Sequence, residues 1–178
     1  MGTKKYRANK VADLLARIKK GSKYEEIINL LAFAVPDVTP GQNELKGAGM
    51  IGTVNVPDLT NIEAMEASIT TSDDSDTASL LNDPDGVELV LHWAVDKVGA
   101  GISSEYIAYR AVIKGYASVI PGGEKKPGEA TEIEHKISVW YYKLQIDGKD
   151  VILIDTYNSK CEINGKDMMK KLNKALMR

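Results

Sequence analysis

Cysteine and histidine are nearly absent from this chain of 178 residues. The single cysteine, Cys161, excludes an internal disulfide framework and a zinc site built from several cysteines. The two histidines, His92 and His135, leave little for metal binding or acid–base chemistry. No apolar run approaches the roughly 20 residues that a membrane-spanning helix needs. What remains is a composition of ordinary globular type, 43% hydrophobic and 27% charged, long enough for one domain with a sizeable core.

No catalytic set can be assembled from the remaining residues. We expect His92 to lie at a surface or interface, and His135 to be solvated within the charged run 132–136. Cys161 is expected to be a small buried or half-buried hydrophobe. The carboxylates of residues 73, 74 and 76 lack EF-hand spacing, which favours an acidic loop and a helix cap. We therefore predict no catalytic residue, no cofactor, no metal and no enzymatic activity.

The formal net charge of −2 hides a segregation along the chain. Residues 1–23 carry +7, residues 24–108 carry −13 and residues 109–178 carry +4. A nucleic-acid-binding domain is usually basic overall, so this balance argues against one. Two interpretations stay open: one subunit has surfaces of opposite sign, or the segments interleave in the folded chain.

Apolar residues alternate with polar ones along most of the C-terminal two-thirds, which predicts antiparallel β structure. The predicted strands cover residues 86–95, 104–119 and 131–146. Asp147-Gly148 separates two such runs and predicts a tight hairpin, because both central residues of that turn need positive φ. Asn164-Gly165 predicts a second turn of the same kind.

Helices are expected at two places only. Residues 76–83 form a short piece that begins at Asp76 and ends before Pro84. Residues 166–178 carry strong helix formers and suit a helix or a tail. Residues 11–20 fit either a helix, from the spacing of their apolar residues, or the first strand of a hairpin.

Three glycines, Gly47, Gly49 and Gly52, match the dinucleotide-binding pattern G-x-G-x-x-G. That site needs a strand before the glycines and a helix after them. Here prolines precede the motif, and Pro57 with β-branched residues follows it. We therefore predict a loop whose glycines let it lie against another backbone, which in an assembly belongs to a neighbouring subunit.

Tyrosine outnumbers phenylalanine by eight to one, and most of the tyrosines fall on predicted strands. Tyrosine combines an apolar ring with a polar tip and is enriched at interfaces. The residues alone thus predict a mostly β, non-enzymatic protein that associates with itself or with a partner.

Three segments follow one another along the chain in a specific order. The first runs from Val35-Pro36 through the glycine loop 47–52 to Thr53-Val-Asn-Val56, and the second is the strand region 62–69. The third is KISVWYYKLQIDGK at 136–149, followed by VILID at 151–155. Their order resembles that in the major tail tube protein of contractile-tailed bacteriophages and phage-tail-like particles. The resemblance covers roughly residues 17–165, and it favours a hairpin over a helix for residues 12–35.

The resemblance implies a mainly β fold, an antiparallel sandwich or barrel with one short flanking helix. It also implies hexameric rings in which strands of all subunits join one barrel around a channel, and rings that stack into a tube. On this basis we divide the chain into a basic N-terminal arm (1–16), a tail-tube domain (17–165) and a C-terminal helix or tail (166–178). An acidic channel wall would suit DNA passage, because like charges repel.

The predicted function is therefore that of a structural subunit of the inner tail tube, a conduit for DNA or a membrane-piercing needle. The implied partners are copies of itself, the contractile sheath protein, the tape measure protein, and the baseplate and tail terminator proteins. DNA is transiting cargo only, no stable membrane association is expected, and the location is a virion tail or tail-like particle assembled in the host cytoplasm. The predicted subunit-interface residues are Gly47, Gly49, Met50, Gly52, Tyr141 and Tyr142.

Two alternatives remain at this stage. The first is the tube protein of a bacterial contractile secretion system, which shares the fold. The second, of another class, is a monomeric β-sandwich module that binds a small ligand or sugar on its tyrosine-rich face.

Overall fold

The computed structural model describes residues 7–72, 75–98, 105–124, 126–128 and 131–177. Within these residues the chain forms twelve strands and two short helices, and every strand pair is antiparallel. The strands are β1 (Arg7–Lys20), β2 (Lys23–Glu26), β3 (Leu30–Ala34), β4 (Pro40–Leu45), β5 (Val54–Ile62), β6 (Met65–Ser72), β7 (Val87–Val98), β8 (Glu105–Val119), β9 (Glu132–Ile146), β10 (Lys149–Asp155), β11 (Lys160–Ile163) and β12 (Lys166–Asp167). The helices are α1 (Ser75–Leu81) and α2 (Lys170–Ala175).

Four long strands form the centre of the main sheet, in the order β9-β8-β7-β1. The short β2 extends the sheet beyond β1, and β10, β11 and β12 extend it beyond β9. Strand β9 has two different partners on that side, β6 along its first half and β10 along its second. Strands β4 and β5 stand apart as a two-stranded hairpin. The mainly β, antiparallel prediction is confirmed, and the described strands do not close into a barrel within one chain.

The hydrophobic core lies on one face of the long-stranded sheet. Alternate residues of each long strand point into it, among them Ile18 of β1, Leu89 and Leu91 of β7, Ile113 of β8 and Tyr142 of β9. Strand β6, helix α1 and strand β11 contribute Ile69, Leu81 and Cys161 to the same core. The predicted apolar face of residues 87–95 and the buried Cys161 are both confirmed.

The N-terminal segment is a strand followed by a hairpin turn. Strand β1 pairs with β7 from Arg7↔Val98 to Ile18↔Leu89, with two bulges near Val11. Ala16 and Ile18, two residues apart, are buried on the core face. The hairpin interpretation is thus confirmed over the helix. The segment predicted as an arm over residues 1–16 is, from Arg7 onward, part of β1, and its first six residues lie outside the described ranges.

Both predicted glycine turns are confirmed by their backbone angles. Asp147 and Gly148 have φ of 47° and 76°, and Asn164 and Gly165 have φ of 50° and 75°. These left-handed conformations match the right-handed twist of the flanking strands. Helix α1 lies where the sequence predicts one, and α2 falls within the predicted C-terminal segment. The cap expected at Asp76 concerns a side chain outside the described set.

The prediction that His135 is solvated is wrong. Its side chain is only 2% exposed and lies among the core-facing residues of β9, between Ile133 and Ile137. Its partner across the ladder is the fully buried Ile69 of β6. The charged neighbours Glu134 and Lys136 point to the other face, because side chains alternate along a strand.

Candidate assembly surfaces

The β4–β5 hairpin presents the glycine motif at its tip. Every residue from 42 to 57 is exposed, and the side chain of Ile51 is entirely so. The loop of residues 46–53, here called the hairpin tip, is flanked by the exposed apolar side chains of Leu45 and Val54. Ile62 at the base of the hairpin packs against the core, but within the described residues no other part of the chain covers residues 42–57. The dinucleotide interpretation fails, since a strand and not a helix follows the glycines.

The hairpin tip needs its glycines for backbone conformation rather than for space. Gly49 and Gly52 have φ of +87° and +103°, where L side chains are strained, and a Cβ at either position would meet nothing within 4 Å. The amide of Met50 donates a hydrogen bond to the carbonyl of Gly47 (3.1 Å), which closes the first turn. The structure therefore brings Gly47, Gly49, Met50 and Gly52 together on one exposed loop.

Tyr141 and Tyr142 point to opposite faces of β9. Tyr142 is 2% exposed in the core, and burial, with a contribution from Asp37, raises its pKa to about 12. Tyr141 is half-buried on the outer face, where the Lys114 ammonium sits 5.3 Å from its ring centre. Only Tyr141 of this predicted pair is accessible to a partner.

An aromatic cluster forms where β9 changes partner. Trp140 is the extra residue of a bulge, because Lys114 pairs with Tyr141 whereas Gly115 pairs with Val139. The ring of Tyr157, in the turn after β10, packs 5.0 Å from that of Trp140. Tyr116 interacts with the Tyr157 hydroxyl and raises its pKa. Tyr116 and Tyr157 are exposed, so the cluster is a surface feature.

Strand β1 leaves part of its backbone edge unpaired. On one side it pairs with β7 along its length, but on the other β2 covers only residues 17–20. The Ala16 carbonyl accepts one further hydrogen bond from the Ile27 amide (2.9 Å), and among the described strands none pairs with residues 7–15 on that side. An unpaired edge presents a row of N–H and C=O groups that can accept another strand.

The long strands carry a polar surface on the face away from the core. Strand register sets its residues in four rows, and together they are here called the outer sheet face. The rows are Lys19, Glu88, Lys114, Tyr141; Arg17, Val90, Val112, Lys143; Leu15, His92, Arg110, Gln145; and Asp13, Ala94, Ala108.

Glu88 anchors the first row of the outer sheet face. It accepts hydrogen bonds from Tyr24 (2.5 Å) and Lys19 (3.1 Å), and Lys114 lies 3.4 Å away. Burial alone would raise its pKa, but these donors outweigh it and the pKa is lowered. The hydrogen bond to Glu88 and burial raise the pKa of Tyr24. Two cations thus face one carboxylate in this row.

The second and third rows concentrate positive charge. Arg17 and Arg110 are exposed, and Arg110 donates a hydrogen bond to the Gln145 side chain (2.9 Å). Lys143 forms an ion pair with Asp150 of β10 (2.9 Å). The pKa of His92 is lowered, first by burial and then by the charges of Arg110 and Arg17. His92 is therefore mainly uncharged at neutral pH, and the two arginines make the electrostatic potential at its ring positive.

The described residues contain no group of three or more His, Cys, Asp or Glu placed to hold a metal ion. His92 and His135 lie on opposite faces of the sheet, and Cys161 is buried with a pKa raised by burial and by Asp167. The carboxylates of residues 73 and 74 fall outside the described ranges. In the part of the chain that the structure describes, no helix is long and apolar enough to cross a membrane.

The charged segments of the sequence interleave in space. Lys19 of the basic N-terminal segment pairs with Glu88 of the acidic middle, and Lys114 of the basic C-terminal segment pairs with the same carboxylate. Lys136 likewise lies 3.5 Å from Glu66. At these points the second of the two interpretations left open by the sequence applies.

The outer sheet face, the unpaired β1 edge and the aromatic cluster were not identified from the sequence. The alternation of each strand shows which residues share its face, but strand order and register decide which strands lie side by side. A hydrogen-bonded ladder was therefore needed to bring Arg17, Arg110 and Lys143 together.

Two comparisons with known proteins bear on these surfaces. Residues 23–176 match the family model described as phage tail tube protein FII. The chain is also 30% identical over 146 residues to the tail tube protein of Escherichia phage P2, an alignment that spans 76% of this chain and 80% of that protein.

Proposed function

The chain belongs to the phage tail tube protein FII family and is a structural subunit of a phage tail tube, and from this premise we propose that it assembles into stacked hexameric rings inside a contractile tail. The tube serves as a conduit for DNA. The chain performs no bond chemistry. The observation that carries the assembly proposal is the β4–β5 hairpin, whose exposed apolar tip is not covered by any of the described residues of its own chain.

Lateral contacts within a ring use the sheet edges. The unpaired edge of β1, residues 7–15, accepts a strand from the next subunit, so that the long-stranded sheets of all subunits continue into one barrel. Closing the ring removes the exposed edges that a single subunit presents.

Contacts between stacked rings use the hairpin tip. Gly47, Gly49 and Gly52 let this loop follow the surface of a subunit in the next ring, and Met50 with its neighbour Ile51 supplies apolar area for the contact. Tyr141 is a further interface residue, through the accessible edge of its ring. The buried Tyr142 supports the core behind it.

The outer sheet face lines the channel. It is the polar side of the longest strands, and barrel closure through β1 turns one face of that sheet inward. The opposite, core face is already occupied by β6, α1 and Cys161.

As a tube component, the chain assembles with copies of itself and contacts other tail components within the virion. We assign the contractile sheath to the outside of the tube, the tape measure protein to its channel, and the baseplate and tail terminator proteins to its two ends. Assembly takes place in the host cytoplasm.

Negative-stain electron microscopy of the purified chain tests this proposal. Rings or tubes with a central hole are expected, and their number should rise with protein concentration. A monodisperse monomer of 19.4 kDa at all concentrations, including under crowding, would contradict it.

A further inference from the structure

We propose that Arg17, Arg110 and Lys143 form a cationic band on the outer sheet face that contacts the phosphate backbone of duplex DNA. This inference rests on the proposed function, since the DNA meets the band only where the outer sheet face lines the channel. On this proposal the centre of the channel wall attracts DNA, whereas the sequence analysis led us to expect an acidic wall that repels it.

The three cations are neighbours by strand register. Arg17 on β1 and Lys143 on β9 lie in the same row, with Val90 and Val112 between them, and Arg110 lies in the next row. Adjacent strands are about 4.8 Å apart, so the band runs about 14 Å across the sheet from Arg17 to Lys143. It presents its three cations side by side to the phosphate backbone of a duplex in the channel.

Acidic groups around the band weaken it without cancelling it. Asp150 pairs with Lys143 at 2.9 Å. In the first row, Glu88 faces both Lys19 and Lys114, so the first row also carries a net positive charge. Asp13 stands in the last row, beyond Leu15. Asp96 follows Ala94 on the same face of β7, and the Asp147 carboxylate accepts a hydrogen bond from the Ala108 amide (3.0 Å), so two further negative charges lie at that end of the face. The apolar Val90 and Val112 place no carboxylate between Arg17 and Lys143.

A second observation supports a positive potential at the band. Burial is the first cause that lowers the pKa of His92, and the charges of Arg110 and Arg17, which lie on either side of it, lower it further. A group that disfavours a proton at this place favours an anion there.

The contacts are suited to DNA that moves. Arginine and lysine bind phosphates without reading bases, so attraction of this kind is independent of sequence and lets the duplex slide. With three cations per subunit, tempered by Asp150, the attraction to any one subunit is weak and strongly dependent on salt.

Binding of a fluorescent DNA duplex to unassembled subunits, followed by anisotropy between 50 and 200 mM salt, tests the proposal. The test variant is Arg17→Gln/Arg110→Gln. Its matched control is Lys126→Gln/Lys160→Gln, which removes the same charge from exposed lysines outside the outer sheet face. The test variant should lower the slope of log affinity against log salt by about 2, and the affinity at 50 mM salt by about tenfold or more, whereas the control stays within about twofold of the parent.

Equal losses in the test variant and the control would overturn the proposal. So would tighter binding of polyglutamate of matched charge than of DNA, which would point to an acidic protein in the channel. The test variant should still form tubes in electron micrographs. If the parent chain formed tubes but its subunits did not bind DNA, the cationic band alone would be contradicted. If the parent chain formed no tubes, the proposed function would be contradicted.

Discussion

His135 is a buried, titratable side chain that no neighbour compensates. Neither ring nitrogen has a hydrogen-bond partner among the described residues, and burial alone lowers its pKa. A depressed pKa means that the unfolded chain, with a histidine pKa near 6.5, binds the proton more readily than the folded one. Stability is therefore complete well above pH 6.5 and is lost as the pH falls through that value.

We predict that His135→Leu removes most of this acid sensitivity. The parent chain should lose up to about 1.4 kcal/mol of unfolding free energy per pH unit below pH 6.5 for this one group, because each pKa unit is worth that amount. The variant should also gain about 1 kcal/mol at pH 8, since an unpaired buried polar group is removed. Urea unfolding at pH 8.0, 6.5 and 5.5 measures both effects.

The control for this experiment is His92→Gln. His92 is also depressed but half-buried on the outer sheet face, so its removal should leave most of the slope in place. If His92→Gln flattened the slope as much as His135→Leu, the assignment to the core would be wrong.

Gly115 lies where the backbone of β8 passes close to β9. A Cβ at this position would lie 2.3 Å from the Ser138 carbonyl oxygen and 2.6 Å from the Ile137 Cγ2. We predict that Gly115→Ala destabilises the subunit by about 3 kcal/mol or more, since the backbone must shift to admit it. Gly122→Ala, where a Cβ meets nothing within 4 Å, should change the urea midpoint little. Similar midpoints for both variants would refute this packing argument.

The error at His135 arose from how its neighbours were weighed. Glu132, Glu134 and Lys136 suggested a charged face, although period-two alternation puts His135 with Ile133 and Ile137. That signal was present in the sequence. The cations of the outer sheet face are a different case, because register between distant strands leaves no local trace.

At the scale of elements, we expect the tip of the β4–β5 hairpin to serve tube assembly while contributing little to the stability of the subunit. We predict that Gly49→Val impairs tube formation while leaving subunit stability nearly unchanged, because valine strains φ of +87° on a loop with no core contacts. Gly128→Val is the matched control, with φ of +82° and equally open space on a different loop. Electron microscopy and urea unfolding of both variants measure the two effects. Intact tubes from Gly49→Val would refute the interface role of the tip.

Strand β1 shows why intrinsic propensity alone did not decide between helix and hairpin at the N-terminus. Its apolar residues suit a helix, but Ala16 and Ile18 gain burial only when the segment lies extended against β7. Tertiary pairing outweighs helix propensity, which differs between residues by less than about 1 kcal/mol. The tight turns, by contrast, were predictable because Asp-Gly and Asn-Gly act locally.

At the scale of the whole molecule, the unpaired β1 edge links the subunit to its ring. We predict that deleting residues 1–10 reduces tube formation while changing the unfolding free energy by about 1 kcal/mol or less, because from residue 10 onward the first buried residue of β1 is Ala16. Deleting residues 1–6 is the control, since β1 begins at Arg7. Size-exclusion chromatography and electron microscopy should find tubes in the control and mostly free subunits in the longer deletion. Equal assembly of the two would contradict the edge proposal.

The fold class and the tail tube family were both predictable, because ordered motifs such as the glycine loop and the Tyr141–Asp155 hairpin lie along the chain. The interface residues were only partly predictable from the sequence. The hairpin tip follows from local glycines, whereas Tyr142 was chosen beside Tyr141 without knowing which face each occupies. The bulge at Trp140 shifts that alternation, and a bulge is set by packing across strands rather than by residue type.

Strand β9 has a mechanical consequence. It is held by β8 on one side and by β6 and then β10 on the other, and the hydrogen bonds of antiparallel pairs run across the strand direction. A pull along β9 therefore shears both ladders at once and must break many bonds together. A pull across the β4–β5 hairpin would open its bonds one after another. When force is applied to a tube built from such subunits, we expect the β4–β5 hairpins to open first and the long strands to resist.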